Sequence, residues 1–179
     1  DSQARFYLAS MIIALGYLHS KRILHRDIKP ENVVLKEDGH CLLTDMGIAA
    51  EMEEDKDLVF KHSGTHGYMA PEVYCADGHG TPSEWFSVGV CLHMFMTNHL
   101  PFKTAKALAP GSNERLPYLD QANTPVAAER KDLIRALLHD DPRQRLPEAS
   151  IRAHPWFAGF EWQALEGQSM PAPFKPDIE

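Results

Sequence analysis

Residues 85–96 form the longest apolar-rich run in the chain, interrupted by Ser87 and His93. About a dozen residues are too few to span a bilayer, which takes about 20. A helix that is apolar all round belongs inside a core. The run therefore predicts a helix over residues 84–97, with Ser83 just before it, at the centre of a mainly helical domain. The 179 residues make one domain, or most of one, large enough to bury such a helix.

The rest of the chain reads as elements arranged around that helix. Phe6, Ala9, Ile12, Ile13, Gly16 and Tyr17 recur near helical period, predicting a helix over residues 3–20 with Ser2 as its cap. No signal peptide opens the chain, and because it starts inside this helix its natural N-terminus is expected further upstream. Two short apolar runs, 33–35 and 41–44, flank a turn containing Gly39 and predict a β-hairpin. Residues 48–68 lack sustained periodicity, carry an acidic run at 51–57, and read as a long surface loop of the kind that is functional or disordered. Solvation of a loop face accounts for the acidic run, and attraction of basic partners is the alternative. Pro71 opens a short helix, residues 77–80 form a loop, and Leu133, Ile134, Leu137 and Leu138 mark one face of a helix over 128–139. Residues 103–125 are rich in Pro, Asn and Gly, and the Pro-rich stretch from Gly167 onward is expected to be extended.

Composition excludes several classes of function. A net charge of −7 argues against a nucleic-acid partner, which favours a basic stripe. Three cysteines with no C-x-x-C pair signal neither a zinc site nor a disulfide framework, and fit reduced thiols in the cytoplasm. The ten histidines are scattered and none forms H-E-x-x-H.

Chemistry concentrates in His25-Arg26-Asp27-Ile28-Lys29-Pro30-Glu31-Asn32, followed thirteen residues after Asn32 by Asp45-Met46-Gly47 and, past the long loop, by Ala70-Pro71-Glu72. Alone, Asp27 and Asp45 read more readily as turn residues capping strand ends than as catalytic groups. The order and spacing together resemble the protein-kinase set H-R-D-x-x-x-x-N, D-F-G and A-P-E. Phosphoryl transfer needs a carboxylate to orient the acceptor hydroxyl and take its proton, a cation on the moving phosphoryl group, and oxygen ligands for Mg2+. The resemblance gives those parts to Asp27, to Lys29, and to Asn32 with Asp45. It also places Lys29, Glu31, Asn32, Val34 and Asp45 around ATP. A lysine two positions after the aspartate implies serine and threonine acceptors on protein substrates.

Further strings narrow the resemblance. Gly64-Thr65-His66-Gly67-Tyr68-Met69-Ala70-Pro71-Glu72-Val73, then Trp85-Phe86-Ser87-Val88-Gly89, and a close at His154-Pro155-Trp156-Phe157 and Pro171-Ala172-Pro173-Phe174-Lys175-Pro176 look like the AGC group, and most like the G-protein-coupled-receptor kinases within it. The expected fold is the kinase C-terminal lobe over 1–157, mainly α with short β-hairpins carrying the catalytic and metal-binding loops, and residues 158–179 begin an AGC-type tail. No G-x-G-x-x-G-x-V string or V-A-I-K lysine occurs, so the N-terminal lobe would come from the same parent chain and this piece alone would not catalyse efficiently. Thr65 would bridge Asp27 and Lys29, or merely stabilise its loop. Glu72 would pair with Arg145. His25, Arg26, Met46, Gly47 and Glu84 would support the site, and Glu31 would read a basic substrate residue, contact the ribose, or stay solvated.

Three departures from the family pattern stand out. Met46 replaces phenylalanine and is expected to keep a core contact. Glu84 replaces aspartate, and its extra methylene is expected to alter the reach to the catalytic loop. Lys61 stands where many AGC kinases carry a phosphorylated threonine; it would repel Arg26 and removes that switch. Two competing readings are a pseudokinase scaffold and a regulatory domain that binds another kinase.

Overall fold

The structure, a computed structural model, describes residues 1–74, 78–102 and 125–177. Its helices are α1 (Ser2–Ser20), α2 (Pro71–Tyr74), α3 (Thr81–Thr97), α4 (Pro125–Leu137), α5 (Glu148–Arg152) and α6 (Trp162–Glu166). The strands are short: β1 (Ile23–Leu24), β2 (Val33–Leu35), β3 (Cys41–Leu43) and β4 (Ala50–Glu51). Single 3-10 turns at Pro30–Asn32, Pro142–Gln144 and Pro155–Phe157 each start with proline, whose fixed φ and missing N–H suit a first turn.

Helix α3 is the centre of the core, and every residue from Ser83 to His93 in it is buried. It starts at Thr81, three residues before the apolar run predicts, because Gly80 caps it and Pro82 fits its first turn. It stops at Asn98, which takes the left-handed conformation that asparagine tolerates (φ 58°). Helices α1 and α4 both pack against α3. Gly89 permits the close approach of α4, since a Cβ there would lie 2.7 Å from Cβ of Leu137. Leu8, Ile12 and Leu15 of α1 and Leu133, Ile134 and Leu137 of α4 are fully buried in this core, with Trp156 and Phe157 closing one side. Each such side chain stabilises the fold by about 1.5–3 kcal/mol. Helix α1 begins one residue earlier than its periodicity suggests: Asp1 is the cap and Ser2 is already helical.

The β2–β3 hairpin is antiparallel, pairing Val33 with Leu43, Val34 with Leu42 and Leu35 with Cys41. Its turn closes with Lys36 N–H donating to the His40 carbonyl at 2.7 Å and Gly39 at φ 87°. Gly39 is packed against Ala172 and Phe174, so the 171–174 stretch passes over the hairpin turn. A second two-stranded sheet pairs β1 with β4, Ile23 opposite Glu51 and Leu24 opposite Ala50. It draws the first part of the 48–68 loop down onto a small apolar cluster of Leu24, Met52 and Val59. Farther along, Val59 and His79 exchange two main-chain hydrogen bonds at 2.8 and 3.0 Å. Residues 167–177 form neither helix nor strand. Residues 103–124 and Cys75 lie outside the described residues. Among the described residues, no helix is long and apolar enough to cross a membrane.

Candidate active site

The segment between β1 and β2 gathers the polar groups. Thr65 Oγ1 donates to Asp27 Oδ1 at 2.5 Å, and Lys29 Nζ donates to Asp27 Oδ2 at 2.7 Å and to Thr65 Oγ1 at 2.8 Å. Buried Asn32 donates from Nδ2 to the Asp27 carbonyl at 2.7 Å and to Asp27 Oδ2 at 3.1 Å. One carboxylate thus takes three side-chain donors. Partial burial pushes its pKa up, but the bonds from Lys29, Thr65 and Asn32 outweigh this and hold Asp27 below the ordinary carboxylate range. The Asp27 bond raises the Lys29 ammonium above its ordinary value. Both groups are therefore charged at neutral pH, as a proton acceptor and a phosphoryl-facing cation must be.

Backbone anchors fix that carboxylate. His25, fully buried, donates from Nε2 to the Thr44 carbonyl at 2.8 Å and accepts the Asp27 N–H on Nδ1 at 3.3 Å. Arg26 holds a left-handed conformation, φ 72°, which costs a residue with a Cβ about 1–2 kcal/mol. Its N–H donates to Glu84 Oε1 at 2.6 Å. Glu84 is 2% exposed, in the first turn of α3. The longer side chain therefore still reaches the loop. Its other oxygen, Oε2, lies 2.7 Å from Nε2 of His19 at the end of α1. His19, whose ring also meets Trp85 edge-on, is a supporting residue that the sequence reading missed. The signal was faint: one histidine among ten, 65 positions from its partner.

The hairpin brings the proposed metal ligands together. The Asn32 carbonyl accepts from Thr44 N–H at 2.9 Å and from Thr44 Oγ1 at 3.2 Å, which sets Asp45 beside Asn32. Asp45 is exposed and left-handed, φ 64°, and accepts the Gly47 N–H at 3.3 Å. A Cβ on Gly47 would lie 3.1 Å from that same oxygen, so glycine gives the turn room. With the Asn32 amide nitrogen committed to Asp27, its oxygen is the group left for a cation. Among the described residues, no cluster of three His, Cys, Asp or Glu side chains could hold a metal. A two-oxygen set from Asn32 and Asp45 suits Mg2+, which keeps several waters and completes its shell with phosphate oxygens. Val34 is 48% exposed beside this edge, and Glu31 is exposed as well. Met46 is 44% exposed and lies outside the buried core that the described residues form.

The long loop folds back on the same arginine. Arg26 donates to the Ile48 carbonyl at 3.1 Å and to the Lys61 carbonyl at 2.6 Å. Lys61 therefore meets Arg26 through its main chain, with its side chain exposed, rather than repelling it. At the far end of the loop Arg145, its side chain fully buried, donates to both Glu72 oxygens at 2.6 and 3.2 Å, and to the carbonyls of Pro82 and His139. This fork spans from α2 to the turn after α4 and ties the loop end to the core.

Residues 1–157 match the family described as "Protein kinase domain". The chain is 36% identical over 185 residues to the "Serine/threonine-protein kinase AtPK1/AtPK6" of Arabidopsis thaliana, covering 99% of this chain and 39% of that protein. It is 35% identical over 196 residues to "Protein kinase 3" of Dictyostelium discoideum, covering 100% of this chain and 21% of that one. Against "Ribosomal protein S6 kinase alpha-4" of Homo sapiens it is 36% identical over 191 residues, covering 99% and 24%. The chain thus spans well under half the length of each of these relatives. By its match over residues 1–157 and by these relatives, the chain belongs to the protein kinase domain family.

Proposed function

We propose that this chain supplies the acceptor-orienting and metal-binding half of a serine/threonine protein kinase. Residues 1–157 are the C-terminal lobe and 158–179 the start of an AGC-type tail. The N-terminal lobe of the same parent completes the ATP site. The observation that carries the reading is the single carboxylate of Asp27 held by Lys29, Thr65 and Asn32 at 2.5–3.1 Å. In the reaction the acceptor hydroxyl of a protein serine or threonine sits on Asp27, which takes its proton. Lys29 steadies the transferred phosphoryl oxygens, and Thr65 keeps Asp27 and Lys29 in register. Asn32 and Asp45 would hold Mg2+, which would supply charge neutralisation on the ATP phosphates. Exposed Val34 and Glu31 would contribute an apolar surface and a carboxylate to the nucleotide side of the site.

The string at 64–73 supports a receptor-kinase-like member of the AGC group. The Arg26 fork, already bonded to two carbonyls, supports activity without a phosphate at position 61. Glu84 still reaches Arg26, which supports an active enzyme over a scaffold. Free thiols at Cys41 and Cys91 fit a cytoplasmic parent.

The test is phosphate transfer from Mg-ATP to a generic serine/threonine protein by the full-length parent and its Asp27→Asn variant. The variant should lose about 10²–10⁴-fold in rate while staying folded. Equal rates in the two proteins would overturn the assignment of Asp27.

A further inference from the structure

Arg22 lies in the short turn between α1 and β1 with φ 60°, a left-handed conformation that a side chain with a Cβ adopts at a cost. Its guanidinium is engaged in two directions. Nη1 donates to Asp57 Oδ1 at 2.6 Å, and Nη2 donates to the Glu53 carbonyl at 2.8 Å. The Arg22 carbonyl in turn accepts the Met52 N–H at 2.9 Å. The segment it grips is a closed turn: Glu53 N–H donates to the Leu58 carbonyl, and the Glu53 carbonyl also accepts from Lys56 and Asp57 N–H. Four residues on, Arg26 repeats the arrangement, left-handed at φ 72° and forked onto the carbonyls of Ile48 and Lys61. Arg26 thus holds the two ends of the 48–61 segment and Arg22 holds its middle. The Arg22–Asp57 ion pair is exposed and worth little by itself. The planar fork engages a carboxylate and a carbonyl from two separate nitrogens held in one rigid plane, a geometry that the single nitrogen of a lysine does not share.

We propose that Arg22 is a positioning residue for phosphoryl transfer: together with Arg26 it holds segment 48–61, and through it Thr65, in the arrangement that closes on Asp27, with no covalent modification of the segment. The proposal rests on the kinase reading above. In it the acidic run at 51–57 is the far half of a clamp, and the two bonds of the Arg22 fork offset the cost of its left-handed backbone.

Glycine at this position relieves the backbone strain and removes the fork, so stability and activity should move in opposite directions. In the full-length parent, Arg22→Gly should keep or raise Tm while amide exchange over residues 52–60 speeds up. Its kcat/KM for a protein substrate should fall by roughly tenfold, the effect of losing about 1.4 kcal/mol of positioning, with KM for ATP unchanged. Arg22→Lys, which keeps the charge and the donors on a single nitrogen but not the planar fork, should recover part of the loss. Unchanged exchange in Arg22→Gly would overturn the clamp, and faster exchange with unchanged kcat/KM would overturn its role in the reaction. A parallel fall in Tm and activity would make Arg22 a plain structural residue. A parent that transfers no phosphate defeats the kinase reading instead, and the exchange comparison then decides the clamp alone.

Discussion

Replacing Glu84 with alanine should cost the fold about 3–5 kcal/mol. Its carboxylate is almost wholly buried and has two partners, the Arg26 N–H at 2.6 Å and His19 Nε2 at 2.7 Å. Alanine leaves a buried backbone donor without an acceptor, worth about 1–3 kcal/mol, and removes a charge-assisted bond to His19 worth about 1.5–3 kcal/mol. At about 2–4 °C per kcal/mol for a chain of this size, Tm should fall by about 6–20 °C. Glu84→Asp is the sharper test, because it keeps the charge and shortens the side chain by roughly 1.5 Å. One of the two partners then goes unreached, the left-handed Arg26 is less firmly pinned, and both Tm and phosphate transfer by the parent should drop, Tm by about 2–8 °C. Melting by circular dichroism and transfer assays on the same preparations read both effects. An aspartate variant equal to the parent in both would refute the argument that the glutamate length is fitted to this site.

Three other expectations concern the same framework. Because Asp27 is held below the ordinary carboxylate range, its stabilising contribution is fully present above about pH 4, the unfolded value, and is lost as pH falls through its lower folded value. The stability difference between parent and Asp27→Asn should therefore be flat near neutrality and shrink in acid, and denaturant titrations showing it growing in acid would contradict the assigned direction. Arg145→Met leaves Glu72 without its cation and strands two carbonyls, and should destabilise by about 3–5 kcal/mol; a loss under about 1 kcal/mol would mean the fork is not a tie. Val90→Asp places an unpaired charge at the fully buried centre of α3 and should abolish cooperative melting, whereas a preserved transition would show that this helix is not the core.

The sequence disclosed the elements whose signal is long or periodic. The apolar run located α3, the pair of short runs around Gly39 located the hairpin, and the ordered motifs named the side chains that the fold brings together around Asp27. What stayed hidden depends on partners far apart in the chain. Two-residue strands have no period, so β1 and β4 were invisible, and with them the tethering of the 48–68 loop. The reach of Glu84 could not be judged without His19, which sits at the other end of α1. The charge of Lys61 predicts repulsion of Arg26, whereas its backbone carbonyl accepts a hydrogen bond from it. The position of Met46 in the family pattern implies a core contact, and within this chain the side chain is exposed.

The outer face of the hairpin has a practical consequence. Val34 and Leu42 are directly paired across the strands and stand 48% and 53% exposed, with Met46 close by in sequence at 44%. The cross-strand pair holds two large apolar side chains next to each other in water, the start of a sticky patch. Handled as an isolated polypeptide, this stretch of chain should therefore behave poorly as a colloid, its light scattering climbing with concentration, and a lysine at position 42 is the smallest change that should make it tractable for crystallisation or NMR.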